Sequence, residues 1–117
     1  MATRRRKFWG WGYEDQGPNP EQQKHMAERM AKRFELGDLT LTPPPTESEL
    51  NLRAPRVMPP DSLKQICSMS TYDRAFHSYG RGFRDKVRAF RRYYPNPFDA
   101  VAFPRDEQDV ARILEWC

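Results

Sequence analysis

Cysteine is nearly absent from this chain of 117 residues: Cys67 and Cys117 stand far apart, outside any C-x-x-C or histidine-spaced cluster. That spacing excludes a disulfide framework and a cysteine–histidine zinc site, and leaves reduced, bland thiols as the expectation. Long apolar runs are missing too. No stretch approaches the roughly 18 consecutive apolar residues that a membrane span requires. The basic quartet Arg4-Arg5-Arg6-Lys7 is not followed by an apolar signal core. The expected location is therefore cytoplasmic, without a membrane span. Glycine occurs six times and is nowhere gathered into a phosphate-cradling loop. Histidine occurs twice. His25 is expected to face solvent, and His77 to pack or hydrogen-bond locally.

Only 38% of the residues are hydrophobic and 11 are proline, with a mean hydropathy of −0.95. A chain of this length must bury about two-thirds of its extended surface to be stable, and little apolar area is on offer. Parts of it should be extended or lean on a partner surface. A net charge of +4 and a pI near 9.3 permit an anionic partner without requiring one. The basic quartet reads first as a solvated tail rather than a nuclear or nucleic-acid signal.

Five stretches follow one another. Residues 1–18 form an aromatic, glycine-bearing arm whose Phe8-Trp9-Gly10-Trp11-Gly12-Tyr13 favours close backbone approach and aromatic packing over regular structure. Residues 19–37 predict an amphipathic helix. Asn19 is its N-cap, Pro20 its first residue, Gln22 the capping-box partner and Gly37 the left-handed end. Met26, Ala27, Met30 and Phe34 make its apolar stripe, expected to pack into a core. Residues 38–60 carry Pro43-Pro44-Pro45, Pro55 and Pro59-Pro60 and predict a surface-hugging connector.

Residues 61–94 predict helices. A short one is capped by Asp61 and carries Leu63, Ile66 and Cys67, ending near Met69. Two more are separated by Gly80 and Gly82. In the second of these, Phe83, Val87, Phe90 and Tyr94 define an apolar face, with Arg84, Arg88 and Arg91 opposite. Seven Lys or Arg residues against one acid between Arg74 and Arg92, interleaved with aromatics, are a pattern able to grip phosphates and stack bases. No RNP or comparable signature accompanies it, so a solvated or subunit-facing surface is preferred and nucleic acid is not the expected partner. Residues 95–117 predict a turn at Pro95-Asn96-Pro97, a strand over Phe98–Pro104, and a helix capped by Asp106. Glu107 and Asp109 suit its positive end, and Val110, Ile113, Leu114 and Cys117 form its apolar face. A single strand–helix unit leaves sheet edges open, so a further strand is expected by βαβ logic, with the chain truncated before it.

That last unit, from Phe98-Asp99-Ala100-Val101-Ala102-Phe103-Pro104 to Trp116-Cys117, resembles the opening of the FAD-binding domain in FAD-linked oxidases of the p-cresol methylhydroxylase and vanillyl-alcohol oxidase (PCMH) type. Trp9-Gly10-Trp11-Gly12-Tyr13 is similar to the W-x-G-W-G-Y opening of alkyldihydroxyacetonephosphate synthases. Tyr72-Asp73-Arg74-Ala75-Phe76-His77-Ser78-Tyr79-Gly80-Arg81-Gly82-Phe83 resembles the helix that precedes the flavin domain in bacterial relatives. The three segments occur in the family's order. The fold this implies is an α+β fragment: a mostly helical N-terminal arm, an extended proline-rich connector, and the first strand and helix of a PCMH-type domain.

The resemblance implies a parent flavoprotein enzyme, either an oxidoreductase acting on 2-hydroxy acids or aromatic alcohols, or a synthase in ether lipid synthesis. In such synthases a flavin N5 adduct of acyl-dihydroxyacetone phosphate exchanges its acyl group for a fatty alcohol. FAD belongs to that parent. The family's glycine-rich pyrophosphate loop and its catalytic tyrosines, histidines and arginines lie downstream of the matching residues. No catalytic, cofactor-binding or metal-ligating residue is therefore assigned, and this segment is expected to bind no FAD and to be inactive alone. Its expected partners are the remainder of its own chain and, through its uncovered apolar faces, a second copy. The alternative is a small basic module binding nucleic acid or an acidic protein. Exposure of Trp9, Trp11, Phe83 and Phe90 is expected if the arm docks on a further domain; their tight packing would indicate an autonomous one.

Overall fold

Local capping and one long-range strand pairing organise the chain, whose computed structural model describes residues 3–117. Met1 and Ala2 of the expected arm lie outside the described residues. The first stretch doubles back rather than running extended. Arg6 and Tyr13 form an antiparallel bridge, and the Lys7 N–H donates to the Gly12 carbonyl at 3.0 Å. Gly12, at φ 83°, supplies the left-handed residue that this reversal needs.

Helix α1 spans Pro20–Arg33. The Asn19 side chain accepts from the Gln22 N–H at 2.8 Å and the Gln22 side chain accepts from the Asn19 N–H at 2.9 Å, the reciprocal bonds of a capping box. The helix ends earlier than the sequence predicts. Glu35, at φ 52°, takes the left-handed position expected of Gly37, and the Leu36 N–H closes back onto the Ala31 carbonyl at 2.9 Å. Nor does the stripe join a core: α1 buries no residue, and Met26, Met30 and Phe34 are half-exposed. A periodic stripe shows which face can be buried, and among the described residues no other element covers this one. Met30→Gln should accordingly change unfolding free energy by less than about 0.5 kcal/mol in urea titration, whereas a loss above 1 kcal/mol would restore the core assignment.

The connector carries a 3₁₀ turn, Glu47–Glu49, and is pinned by Pro45, Leu50 and Pro59, all buried. A second 3₁₀ segment, Asp61–Ile66, stands where an α-helix reaching Met69 is predicted. Pro60 occupies its cap, Asp61 pairs with Lys64, and Cys67 belongs to a strand. Strand β1 (Cys67–Ser68) pairs antiparallel with β2 (Val101–Ala102), Cys67 opposite Ala102 and Ser68 opposite Val101. The Phe103 N–H extends the ladder to the Ile66 carbonyl at 2.7 Å. Strand Phe98–Pro104 is thus shortened to two residues, and its neighbour comes from upstream and runs antiparallel.

Helix α2 (Thr71–His77) is capped by Ser70, and α3 (Phe83–Phe90) starts from Gly82. The helical face expected to run from Phe83 to Tyr94 is broken. Arg92, at φ 54°, turns the chain after α3, so Tyr94 enters the core from a loop. Ala89 is what α3 buries, while Phe83 is 83% exposed. Helix α4 (Glu107–Trp116) is capped by Asp106 as predicted.

Phe8, Leu50, Ala75, Ala89 and Tyr94 form the core, with Trp9, Leu52, Tyr72, Phe76 and Tyr79 packed around it. The protein is a small α+β chain with a two-stranded antiparallel sheet. Its radius of gyration, 18.4 Å, exceeds the value of about 13 Å for a closed domain of this length, as the apolar shortage requires.

Candidate functional site

Three segments far apart in sequence converge on one centre. From the first, Phe8 lies edge-on to Tyr72 of α2 and to Tyr94, with ring centroids 6.4 Å apart in each case. The Tyr72 hydroxyl donates to the Arg6 carbonyl at 2.8 Å, which ties the doubled-back arm to α2. From α2, Arg74 is buried and donates from Nε to the Phe98 carbonyl at 2.8 Å and from Nη2 to the Arg53 carbonyl at 2.7 Å. Ser78 Oγ donates to the Arg74 carbonyl and accepts from the Phe98 N–H at 2.9 Å. The approach to β2 is therefore held by α2 side chains, because Pro97 and its neighbours lack regular partners of their own.

Two carboxylates lock the same region. Asp99 accepts from the Arg56 N–H at 3.0 Å and from its guanidinium, which holds the carboxyl down to about 2. Asp109, only 1% exposed, accepts from the Arg105 N–H and side chain and from Arg112, and is held well below the usual carboxylate range. Both groups bind protons more weakly when folded, so their stabilisation is complete above the ordinary value of 3.8 and is lost as pH falls toward about 2. Thermal melts should stay flat down to that upper value and then drop, and Asp99→Asn should flatten the drop; an unchanged acid limb would remove Asp99 from the account. Tyr94 sits at the other extreme: burial pushes its hydroxyl up to about 12.

Asp109 stands in the first turn of α4, where the sequence expects it as a partner of the helix's positive end. Its real role is visible in the sequence only as arginines at i−4 and i+3. Arg74 was read as part of a basic face, and its carbonyl partners leave no sequence signal.

A flavin pyrophosphate needs uncovered backbone N–H groups. The starts of α1, α2 and α4 are capped by side chains of the chain itself, and α3 begins at Gly82 without a side-chain cap. Asn19 and Gln22 cover α1, and Ser70 accepts from the Asp73 N–H on α2. Asp85 accepts from the Gly82 N–H at 3.1 Å, and Asp106 from the Asp109 N–H at 2.8 Å. A Cβ added at Gly80 would meet the Asp85 carboxylate at 2.9 Å, so the Gly80–Gly82 turn is already occupied by an anion. The Gly80–Gly82 turn thus holds the Asp85 carboxylate, and no glycine-rich loop stands among the described residues.

Much of the basic stretches is likewise spent internally. Arg4 pairs with Asp15, and Arg5 with Glu14 and Glu47, so the N-terminal quartet is anchored and the expected solvated tail is not observed. Within 74–92, Arg74 is buried, Arg81 lies 4.0 Å over the Phe76 ring, Arg88 pairs with Asp85, and Arg92 pairs with Glu49. Arg84, Lys86 and Arg91 have no hydrogen-bond or ion-pair partner among the described residues. Arg84, Arg88 and Arg91 line one concavity with Phe83, Val87 and Tyr93, flanking the apolar residues that they were expected to oppose.

His77 is exposed and edge-on to Phe76 and Phe103, and His25 is exposed on α1. Burial pushes the Cys67 thiol up, away from thiolate reactivity. Among the described residues no acidic, histidine or cysteine cluster could hold a metal ion, and no helix is long and apolar enough to cross a membrane. Trp11 and Phe83 are exposed while Trp9 and Phe90 are partly buried, so the four aromatics divide between the docking and autonomous patterns. No protein-family model matches the chain, and neither a curated protein nor a solved structure matches it.

Proposed function

We propose that this chain is the N-terminal arm and opening strand–helix unit of an FAD-linked oxidase-like flavoprotein, with a positioning role rather than a catalytic one. The observation that supports this best is the convergence of the three family-like segments. Residues 9–13, 72–83 and 98–117 come together: Trp9, Tyr72 and Phe76 pack on one core, and Arg74 donates to the Phe98 carbonyl. In this reading α2 fixes the entry to β2, and α4 follows with its N-terminus closed by Asp106 and Asp109. The flavin, held by residues beyond these, supplies electron or adduct chemistry to the parent enzyme. This chain contributes orientation of the first strand and helix and no contact to the pyrophosphate. The parent reaction is either acyl-for-alkyl exchange on acyl-dihydroxyacetone phosphate or oxidation of a 2-hydroxy acid or aromatic alcohol. The arm serves both.

The test is to read the coding sequence past the Cys117 codon and express the whole frame. A strand and a glycine-rich loop within about 10–15 residues, with a flavin-coloured product, are expected. A stop codon at that point, or a longer product that retains no flavin, overturns the reading.

A further inference from the structure

Helices α3 and α4 carry two uncovered faces of opposite charge. Phe83 of α3 is 83% exposed, and Tyr93 in the turn after it is 60% exposed, beside a concavity of about 320 Å³ flanked by the unpaired cations Arg84 and Arg91. Those two lie seven residues apart, about 10 Å along a helix at 1.5 Å per residue. On α4, Leu114 is 70% and Val110 43% exposed. They sit between Glu107 and Glu115, which have no ion-pair partner among the described residues and lie about 12 Å apart on the same reckoning. Each face thus has an apolar centre and a pair of like charges about two turns apart, and the two signs are opposite.

From this complementarity we infer that the chain self-associates, α3 of one copy receiving α4 of a second. Leu114 and Val110 seat against Phe83 and Val87, with Arg84 and Arg91 facing Glu115 and Glu107. An apolar centre ringed by charge is the arrangement that a specific interface uses, and the charges fix the register. Both partners are present on every copy, so the contact closes as a two-fold dimer when reciprocal and continues as a chain when not. Nucleic acid is a poorer occupant, because a cation pair neutralises too few phosphates for firm binding. The proposal and the flavoprotein reading make different demands on α4, since a continuation of the chain would cover the same Val110–Leu114 face; self-association is read on these 117 residues and flavin retention on the longer product, so the two fail separately.

Sedimentation velocity over a concentration series tests it, with two charge-reversed variants, Arg84→Glu with Arg91→Glu and Glu107→Arg with Glu115→Arg. Wild type should associate, and less so as salt shortens the screening length. Each variant, with wild-type far-UV circular dichroism, should associate about 100-fold more weakly because like charges then face each other. Mixing the two variants should restore association, which a folding defect would not allow. A monomeric wild type at every concentration, association that survives both reversals, or a monomer that instead binds a single-stranded oligonucleotide through Arg84 and Arg91 overturns the proposal.

Discussion

Phe8→Ala is expected to remove about 3–5 kcal/mol of folding free energy, the usual cost of deleting a buried phenyl ring. Phe8 is 4% exposed and meets Trp9, Tyr72 and Tyr94 edge-on, so its loss opens a cavity where the arm, α2 and the 94–98 turn join. Small domains hold only about 5–15 kcal/mol in total, and this one has few other buried rings to compensate. The effect should have a local signature. The Lys7 and Glu14 N–H groups, which donate to Gly12 and Arg5 within the doubled-back arm, should lose hydrogen-exchange protection. Trypsin should then cut the basic quartet faster. Trp11, larger but 70% exposed, provides the control: Trp11→Ala should stay within about 0.5 kcal/mol. Equal losses at the two positions would show that the arm is not anchored through Phe8.

Arg74→Met should cost about 2–4 kcal/mol in urea unfolding, for a different reason. Methionine keeps much of the arginine volume but removes the charge-assisted bonds to the part-buried Phe98 and Arg53 carbonyls, each worth about 1.5–3 kcal/mol. Relief from burying a guanidinium offsets part of that sum. Arg74→Lys should recover little, because one ammonium cannot reproduce a planar fork reaching two carbonyls in different segments. If Met and Lys proved as stable as wild type, the link between α2 and the approach to β2 would be dispensable, and the positioning role proposed for the arm would lose its main support.

Much of the helical content was legible in advance, and the reason is range. The Asn19–Gln22 box, the Asp106 cap and the break at Gly80 and Gly82 are set within four residues of themselves, so sequence spacing reads them. The failures are at longer range or compete with it. Cys67 follows a helix-like run, yet pairing with Ala102 across 35 positions makes it strand. Gly37 is the better left-handed residue by intrinsic preference, but the closing bond from Leu36 to Ala31 places that conformation on Glu35. Met26, Met30 and Phe34 have the right period for a buried face and no element to bury them.

The candidate site divides in the same way. Its aromatic and basic residues were all visible, but which cations were already committed was not. Arg5 finds Glu47, and Arg92 finds Glu49, only because the proline-rich connector folds back over the arm and α3. By itself the sequence determined where helices begin, that cysteine and glycine chemistry is missing, and that apolar area is too scarce for a closed globule. Those properties follow from composition and from bonds a few residues long. Tertiary structure alone decided which apolar stripes are covered, which charges remain free, and that three distant segments share one core. Such contacts depend on the path of the whole chain, and no local preference encodes it.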